Sequence, residues 1–471
     1  MVNIHHSYTV TPSNTTPTTT LSLSLCDQLK LPNHGYQLYL YTNNNNHSPS
    51  LISSTSILLK SLSKTLTHYY PFAGRLIWIK PKNHLQLICN NKGAKFLEAT
   101  CDATLKDLLG SNFDSTHDVK KLLPKINYDV PIEHVPLLVI QLTKFSCGSF
   151  SLAFAMSRCV LDGSSASNFI NSWAKVAKGE NLDSYLIPFL DRTLLDSKII
   201  NLPPRFQHHE FSPPPLWEGC SNNSPHLRKN PSFAITMLKF TKKQVEKLKN
   251  KANNNENMVR GCGNKVRGYT SFEVICGYLW RCVSKVRFEG NWNQPTRLTT
   301  LVNCRNRLNP PIPKNYFGNA TFPTVTQICS FDDVVNKPFC YVVGKVREAI
   351  EKMNDEYVRS VLDYIANQKD MNLLRDKFHN FAKRNGQFGG DPNLYVVGWT
   401  NFPFYETDFG WGKPDYLVPG ITSSDGIGKA YIVDEANGDG FLVTVCLQTF
   451  HIDALKKLFY EDMEIITSSK L

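Results

Sequence analysis

The stretch from Pro136 to Met156 constrains the fold more than any other part of the chain. Residues 136–145 read PLLVIQLTKF, an apolar run of strand length, and the short turn Cys147-Gly148-Ser149 follows. Phe150, Leu152, Phe154 and Met156 then alternate with Ser151, Ala153 and Ala155. Period-two alternation straight after so short a turn predicts two neighbouring antiparallel strands within a buried sheet. Such a hairpin must be covered, and the covering helices are legible. Leu51, Leu58, Leu62 and Leu66 recur at about helical spacing before Pro71 and predict a helix over 51–68. Ser164 is placed to cap a helix that carries Phe169, Ile170, Trp173 and Val176 and stops at Gly179. In the second half, Thr241 with Gln244 and Thr270 with Glu273 have capping-box spacing. Strands are expected near 298–303 and 320–325, a long helix over roughly 333–354, and another strand where Phe441, Val443, Val445 and Leu447 alternate. No regular βαβ repeat emerges. The fold class is therefore α+β, with two mixed domains of similar size, 1–206 and 233–471. A crossover at 207–232, interrupted by Pro213 to Pro215, joins them.

Composition narrows the function. Apolar residues make up 41%, enough for a substantial core, and charged residues only 20%, too few for a coiled coil. The net charge of +12 points to an anionic partner. Its densest run, Lys242 to Lys251, carries Val245 and Leu248 three apart and reads as one face of an amphipathic helix. With no nucleic-acid module in sight, no nucleic-acid partner is expected, whereas a phosphorylated small molecule would use the same charge. Thirteen cysteines stand isolated, without a C-x-x-C pair, so reduced buried thiols and no metal site are expected. The N-terminus lacks an apolar leader core and no stretch approaches 20 apolar residues. No membrane partner is expected, and a cytoplasmic location is. The terminal Ser469-Lys470-Leu471 matches a peroxisomal address and supplies the alternative.

Two segments carry the chemistry. Ser157-Arg158-Cys159-Val160-Leu161-Asp162-Gly163-Ser164 joins a strand end to a capped helix, which projects side chains into a cleft rather than a core. Asp408-Phe409-Gly410-Trp411-Gly412-Lys413-Pro414 is a tight turn that fixes a large aromatic. Together with Tyr69-Tyr70-Pro71-Phe72-Ala73-Gly74-Arg75 and the run from Arg305 through Asn309-Pro310-Pro311 to Tyr316-Phe317-Gly318-Asn319, they resemble the plant BAHD acyltransferase family over nearly the whole chain. The opening MVNIHHSYTV, with FINSWAKVAKG and PFLDR, looks closest to the spermidine hydroxycinnamoyl transferase group.

The resemblance implies a chloramphenicol acetyltransferase-like pair of domains with a channel between them. It implies acyl-CoA as co-substrate with no bound cofactor, a monomer, and a small-molecule amine or alcohol acceptor such as a polyamine. The function implied is transfer of an acyl group, hydroxycinnamoyl in the nearest subgroup, from CoA to that acceptor. In the family the histidine of HxxxD removes the acceptor's proton. Asp162 would orient the site by pairing with an arginine, Arg305 being the candidate, while Asp408 and Trp411 would shape a loop near the channel. No residue is assigned to CoA.

The sequence departs from the family pattern at its centre. The segment reads R-C-V-L-D, so Arg158 stands at the histidine position. Arginine stays protonated near pH 7 and is no general base. A positioned base contributes about 10² to 10⁴ in rate, roughly 3 to 5 kcal/mol. Asn303 stands where members commonly carry Asp, and Val397 where some place a hydroxyl residue. His5, His6, His68, His134, His208, His209 and His451 offer no substitute, since no histidine lies within a few residues of Arg158. Two functions follow: a slowed acyltransferase, better suited to amine than alcohol acceptors, or an inactive member that binds acyl-CoA or a protein partner. A fixed cation at 158 would also repel a polyammonium, by about 4 kcal/mol at ~4 Å and an effective dielectric of ~20, and attract a carboxylate.

Overall fold

A computed structural model describes residues 2–43, 55–109, 117–197, 203–218, 232–253, 267–379, 391–420 and 427–468. Two six-stranded mixed sheets organise it. The first contains β1 (Val2–Val10), β2 (His34–Tyr41), β3 (Ala94–Cys101), β4 (Leu138–Phe145) and β5 (Phe150–Ser157). The second contains β6 (Phe233–Thr241), β7 (Leu298–Asn303), β8 (Thr321–Val325) and β9 (Leu394–Trp399). Of the strands that follow, β10 (Tyr416–Gly420) joins the first sheet, and β11 (Lys429–Asp434) and β12 (Gly440–Gln448) complete the second. The orders are β1-β3-β4-β5-β2-β10 and β8-β7-β9-β11-β12-β6.

The hairpin read from the sequence is β4 and β5, antiparallel, with Leu138 opposite Met156. Every residue of β5 is buried, because helices cover one face and other chain segments the other. On its far side β2 runs antiparallel to it, from His34 opposite Ser157 to Tyr41 opposite Phe150.

The helices form largely where periodicity places them. Helix α1 (Thr55–His68) buries Leu58, Leu62 and Leu66 against the first sheet, while 51–54 lie outside the described residues. Helix α2 (Gly163–Ala177) buries Phe169, Ile170 and Trp173 and ends before Gly179, which takes φ +84°. Its cap is Asp162 rather than Ser164: the carboxylate accepts from the Ser165 N–H. Helix α3 (Ser271–Val286) opens on the expected reciprocal cap of Thr270 and Glu273. The expected helix over 333–354 is broken. A short helical segment, Phe331–Val335, precedes α4 (Phe339–Glu351), and Pro338 stands at the N-cap position of the latter. Proline has no N–H to donate and disfavours helical geometry in the residue before it.

The expected division at 206/233 is crossed by one segment. β10 comes from the second half and pairs with β2, Tyr416 opposite Leu40. Phe404, Phe409, Trp411 and Leu417 accordingly belong to the core of the first sheet. The DFGWG turn, expected with the second domain, is therefore packed on the first. The described part of the crossover is tied to the second half by its carbonyls: Leu216 accepts from Gln294 and Pro215 from Asn393. Residues 219–231 and the terminal Ser469-Lys470-Leu471 lie outside the described residues.

The described cysteines are free thiols and all but Cys147 are buried, with burial pushing Cys159 up to about 12. Among the described residues, no helix is long and apolar enough to cross a membrane, and no cluster of three or more His, Cys, Asp or Glu is placed to hold a metal.

Candidate active site

Arg158 follows the last residue of β5, and its N–H donates to the Asn33 carbonyl at 2.9 Å. The chain leaves the sheet here, so the side chain is exposed while its neighbours Ser157 and Cys159 are buried. The stem and guanidinium cross over Gly35, 3.8 Å from where a β-carbon on that glycine would sit. Nε makes one long bond to the His34 carbonyl at 3.4 Å. Among the described residues no carboxylate pairs with Arg158, and its two terminal nitrogens have no hydrogen-bond partner. Its charge is felt by His34, Tyr36 and Tyr128 of the first half and by Tyr395 on β9 of the second. Arg158 thus lies where the two halves meet.

His34 is the residue that reading the sequence missed. It precedes Arg158 by 124 positions, and only the pairing of β2 with β5 sets it opposite Ser157. Its Nε2 lies 2.8 Å from the Pro136 carbonyl, which can only accept, so Nε2 carries the proton. Nδ1 then accepts from the Tyr128 hydroxyl at 2.8 Å. The same Tyr128 oxygen accepts the His34 backbone N–H at 3.1 Å. Burial, assisted by the charge of Arg158, lowers the imidazole to about 4 against the opposing pull of the Pro136 bond. His34 is consequently neutral near pH 7, with its lone pair occupied by a phenol. It is a weak base held in place, and it does not restore the strength of an ordinary imidazole.

Asp162 and Arg305 form a two-pronged buried pair. Nη1 donates to Oδ2 at 2.7 Å and Nη2 to Oδ1 at 2.9 Å, with the side chains 5% and 3% exposed. The carboxylate also accepts the N–H of Ser165 at 3.1 Å and of Ala320 at 2.9 Å. Burial pushes its pKa up, but the Arg305 guanidinium and these donors outweigh it and hold it below the usual carboxylate range. Asn303 supports the arrangement by accepting the Arg305 N–H at 3.1 Å. The pair fastens the turn before α2 to the segment after β7.

The Tyr316-Phe317-Gly318-Asn319 stretch completes this fastening. Gly318 accepts from Ser165 Oγ at 2.9 Å, and Asn319 Nδ2 donates to the Arg158 carbonyl at 2.9 Å. Asn319 is itself held by Asp27, which accepts from its backbone N–H and its side chain at 2.8 Å each. Asp27 pairs in turn with buried Arg192. The backbone of Arg158 is thereby fixed from both halves. Val397 is buried within β9 and brings no hydroxyl.

Asp408 and Trp411 do not join this cluster. One Asp408 oxygen accepts the N–H groups of Gly410 and Gly412, at 2.8 and 2.9 Å. Both glycines need positive φ, +105° and +112°, which explains the residue type. Trp411 stacks on Phe409 and meets Tyr41 and Phe150 edge-on at centroid distances of 6.0 and 5.4 Å. Phe150 and Ser157 are the two ends of β5. Seven residues at about 3.3 Å each separate them by roughly 23 Å. The turn anchors one end of the hairpin and Arg158 occupies the other.

Two mixed sheets, fastened to each other beside a strand-end side chain, define a two-domain acyltransferase fold. The chain belongs to the Transferase family, the BAHD acyl-CoA-dependent acyltransferases, whose family model matches residues 1–462. It is an acyltransferase that uses acyl-CoA as co-substrate. It is 37% identical to a hydroxycinnamoyl-CoA:piscidic acid hydroxycinnamoyltransferase of Actaea racemosa, covering 98% of this chain and 100% of that one. It is 33% identical to shikimate O-hydroxycinnamoyltransferase of Nicotiana tabacum, covering 98% and 99%. A hydroxycinnamoyl-CoA:5-hydroxyanthranilate N-hydroxycinnamoyltransferase of Avena sativa is 32% identical over 85% of this chain and 84% of its own. The fold matches crystal structures of vinorine synthase, with a TM-score of 0.69 at 23% identity over 97% and 98% of the two chains. It also matches F. graminearum TRI101 complexed with coenzyme A and T-2 mycotoxin, with a TM-score of 0.74 at 15% identity over 93% and 97%.

Proposed function

We propose that the protein moves a hydroxycinnamoyl group from CoA to a hydroxyl or amine on a small acceptor, with Arg158 at the position where the family places its proton-accepting histidine. The observation that carries this reading is the placement of Arg158: exposed at the end of β5, at the junction of the halves, with its backbone held by Asn33 and Asn319. Fixed positioning and binding sustain part of a rate after one catalytic group is lost. Amine acceptors depend less on a base than alcohols do.

The acceptors named for the relatives, piscidic acid, shikimate and 5-hydroxyanthranilate, are carboxylic acids. That supports a hydroxy or amino acid as acceptor over the polyamine that the spermidine-like segments suggest. The test is release of free CoA thiol from a panel of hydroxycinnamoyl-CoAs, with hydroxy acids, aromatic amino acids and spermidine as acceptors. Turnover with an acid or amine supports the reading. The weak basicity of buried His34 favours a second reading, an inactive member that binds acyl-CoA. CoA binding without thiol release supports that one.

A further inference from the structure

We propose that the guanidinium fork of Arg158 forms a subsite for the carboxylate of the acceptor. The inference rests on the acyl-transfer reading above and adds the group that recognises the acceptor.

The first argument is charge. Four buried arginines of the described residues are paired with carboxylates, Arg192 with Asp27, Arg287 with Asp391, Arg305 with Asp162 and Arg347 with Glu273, while the terminal nitrogens of buried Arg75, Arg297 and Arg375 donate to carbonyl oxygens. Arg158 has no such partner, although it is held in place. Its backbone is bonded on both sides, to Asn33 and Asn319, its stem crosses Gly35 and its Nε rests on the His34 carbonyl. Only the terminal fork is left free. A guanidinium fixed by its stem loses less freedom on binding than a loose one, and its two parallel N–H bonds match a carboxylate.

The second argument is the company the fork keeps. Among the described residues no carboxylate pairs with the fork, and the imidazole of His34, whose carbonyl holds Nε, is neutral. The proton of Tyr128 is committed to His34 Nδ1. Two N–H groups of a fork held at the junction of the halves fit a carboxylate. A polyammonium would meet the uncompensated charge head-on.

The test uses the full-length protein and calorimetric titration in the presence of CoA. Shikimate, piscidic acid and 5-hydroxyanthranilate are each compared with their methyl esters. At least one acid should bind tenfold or more tighter than its ester. Arg158→Gln should reduce that acid to the affinity of its ester. Arg158→Lys, which keeps the charge and loses the fork, should retain part of the preference. The proposal is overturned if no acid out-binds its ester or if Arg158→Gln leaves the preference intact. It is equally overturned if Arg158→Gln weakens CoA instead, which would assign the fork to a donor phosphate. Titration of CoA alone and thiol release by the wild type report separately on acyl transfer. Their failure beside an Arg158-dependent acid preference would remove the enzymatic reading and keep the subsite.

Discussion

Replacing Asp162 by Asn probes the pair that fastens the two halves beside Arg158. The pair has two bonds, at 2.7 and 2.9 Å, and both side chains are at most 5% exposed. Removing one charge from a buried pair leaves the other unneutralised and costs about 3 to 5 kcal/mol. Arg305 would keep only neutral acceptors: Ser165 Oγ at 3.0 Å, Asn303 Oδ1 at 3.3 Å and the carbonyls of Gly318 and Tyr316 at 3.2 and 3.4 Å. Those bonds place Asp162→Asn toward the lower end of the range, and Arg305→Met, which strands a carboxylate, toward the upper end. The double variant should recover about 1 to 3 kcal/mol relative to the sum of the single losses. Urea titration monitored by fluorescence, with midpoints compared at equal slope, is the assay.

The pH dependence supplies a second check on the same pair. The folded pKa of Asp162 lies below the unfolded carboxylate value of about 3.9. The unfolded state therefore binds the extra proton, and the stabilisation is complete above that value and lost as pH falls through the folded one. The gap between wild type and Asp162→Asn should stay constant from about pH 8 to 5 and narrow only below about 4. A loss under ~1 kcal/mol, or a gap that closes between pH 7 and 5, would refute the buried-pair account.

Arg158→His should raise turnover of alcohol acceptors by about 10² or more; a wild-type rate already near ~10 s⁻¹ would show that another base operates. His34, lowered to about 4 by burial, makes the folded state bind fewer protons than the unfolded state between about pH 4 and 6.5, so stability rises with pH across that window. His34→Gln should flatten that part of the profile in urea titrations at pH 5 and 7.5, and an unchanged slope would contradict the assignment. Asp408→Asn keeps an oxygen for the Gly410 and Gly412 N–H groups and should alter turnover less than twofold, whereas a loss of 10² or more would give Asp408 a chemical role. Trp411→Ala should destabilise by about 3 to 5 kcal/mol, read as a shift in the urea midpoint, because it empties a site bounded by Tyr41, Phe150 and Phe409.

What the sequence determined by itself is short-ranged. The alternation at 150–156 placed β5, the leucine spacing placed α1, and Thr270 with Glu273 placed the start of α3. Each depends on hydrogen bonds or side-chain periods within a few residues, which the local order of amino acids fully specifies. The segments R-C-V-L-D and D-F-G-W-G are each contiguous in the chain and carry the family resemblance. Even locally, Pro338 set a break that apolar periodicity alone runs through. The tertiary structure decided the rest. Asp162 displaced Ser164 as the cap of α2 because its carboxylate also meets Arg305, 143 residues away. His34 came to lie beside Arg158 through the pairing of β2 with β5. β10 carried the DFGWG turn to the opposite end of that hairpin from Arg158. These contacts join residues more than a hundred positions apart. Strand register and buried charge pairing settle them only once the whole core has closed, so no local pattern in the chain encodes them.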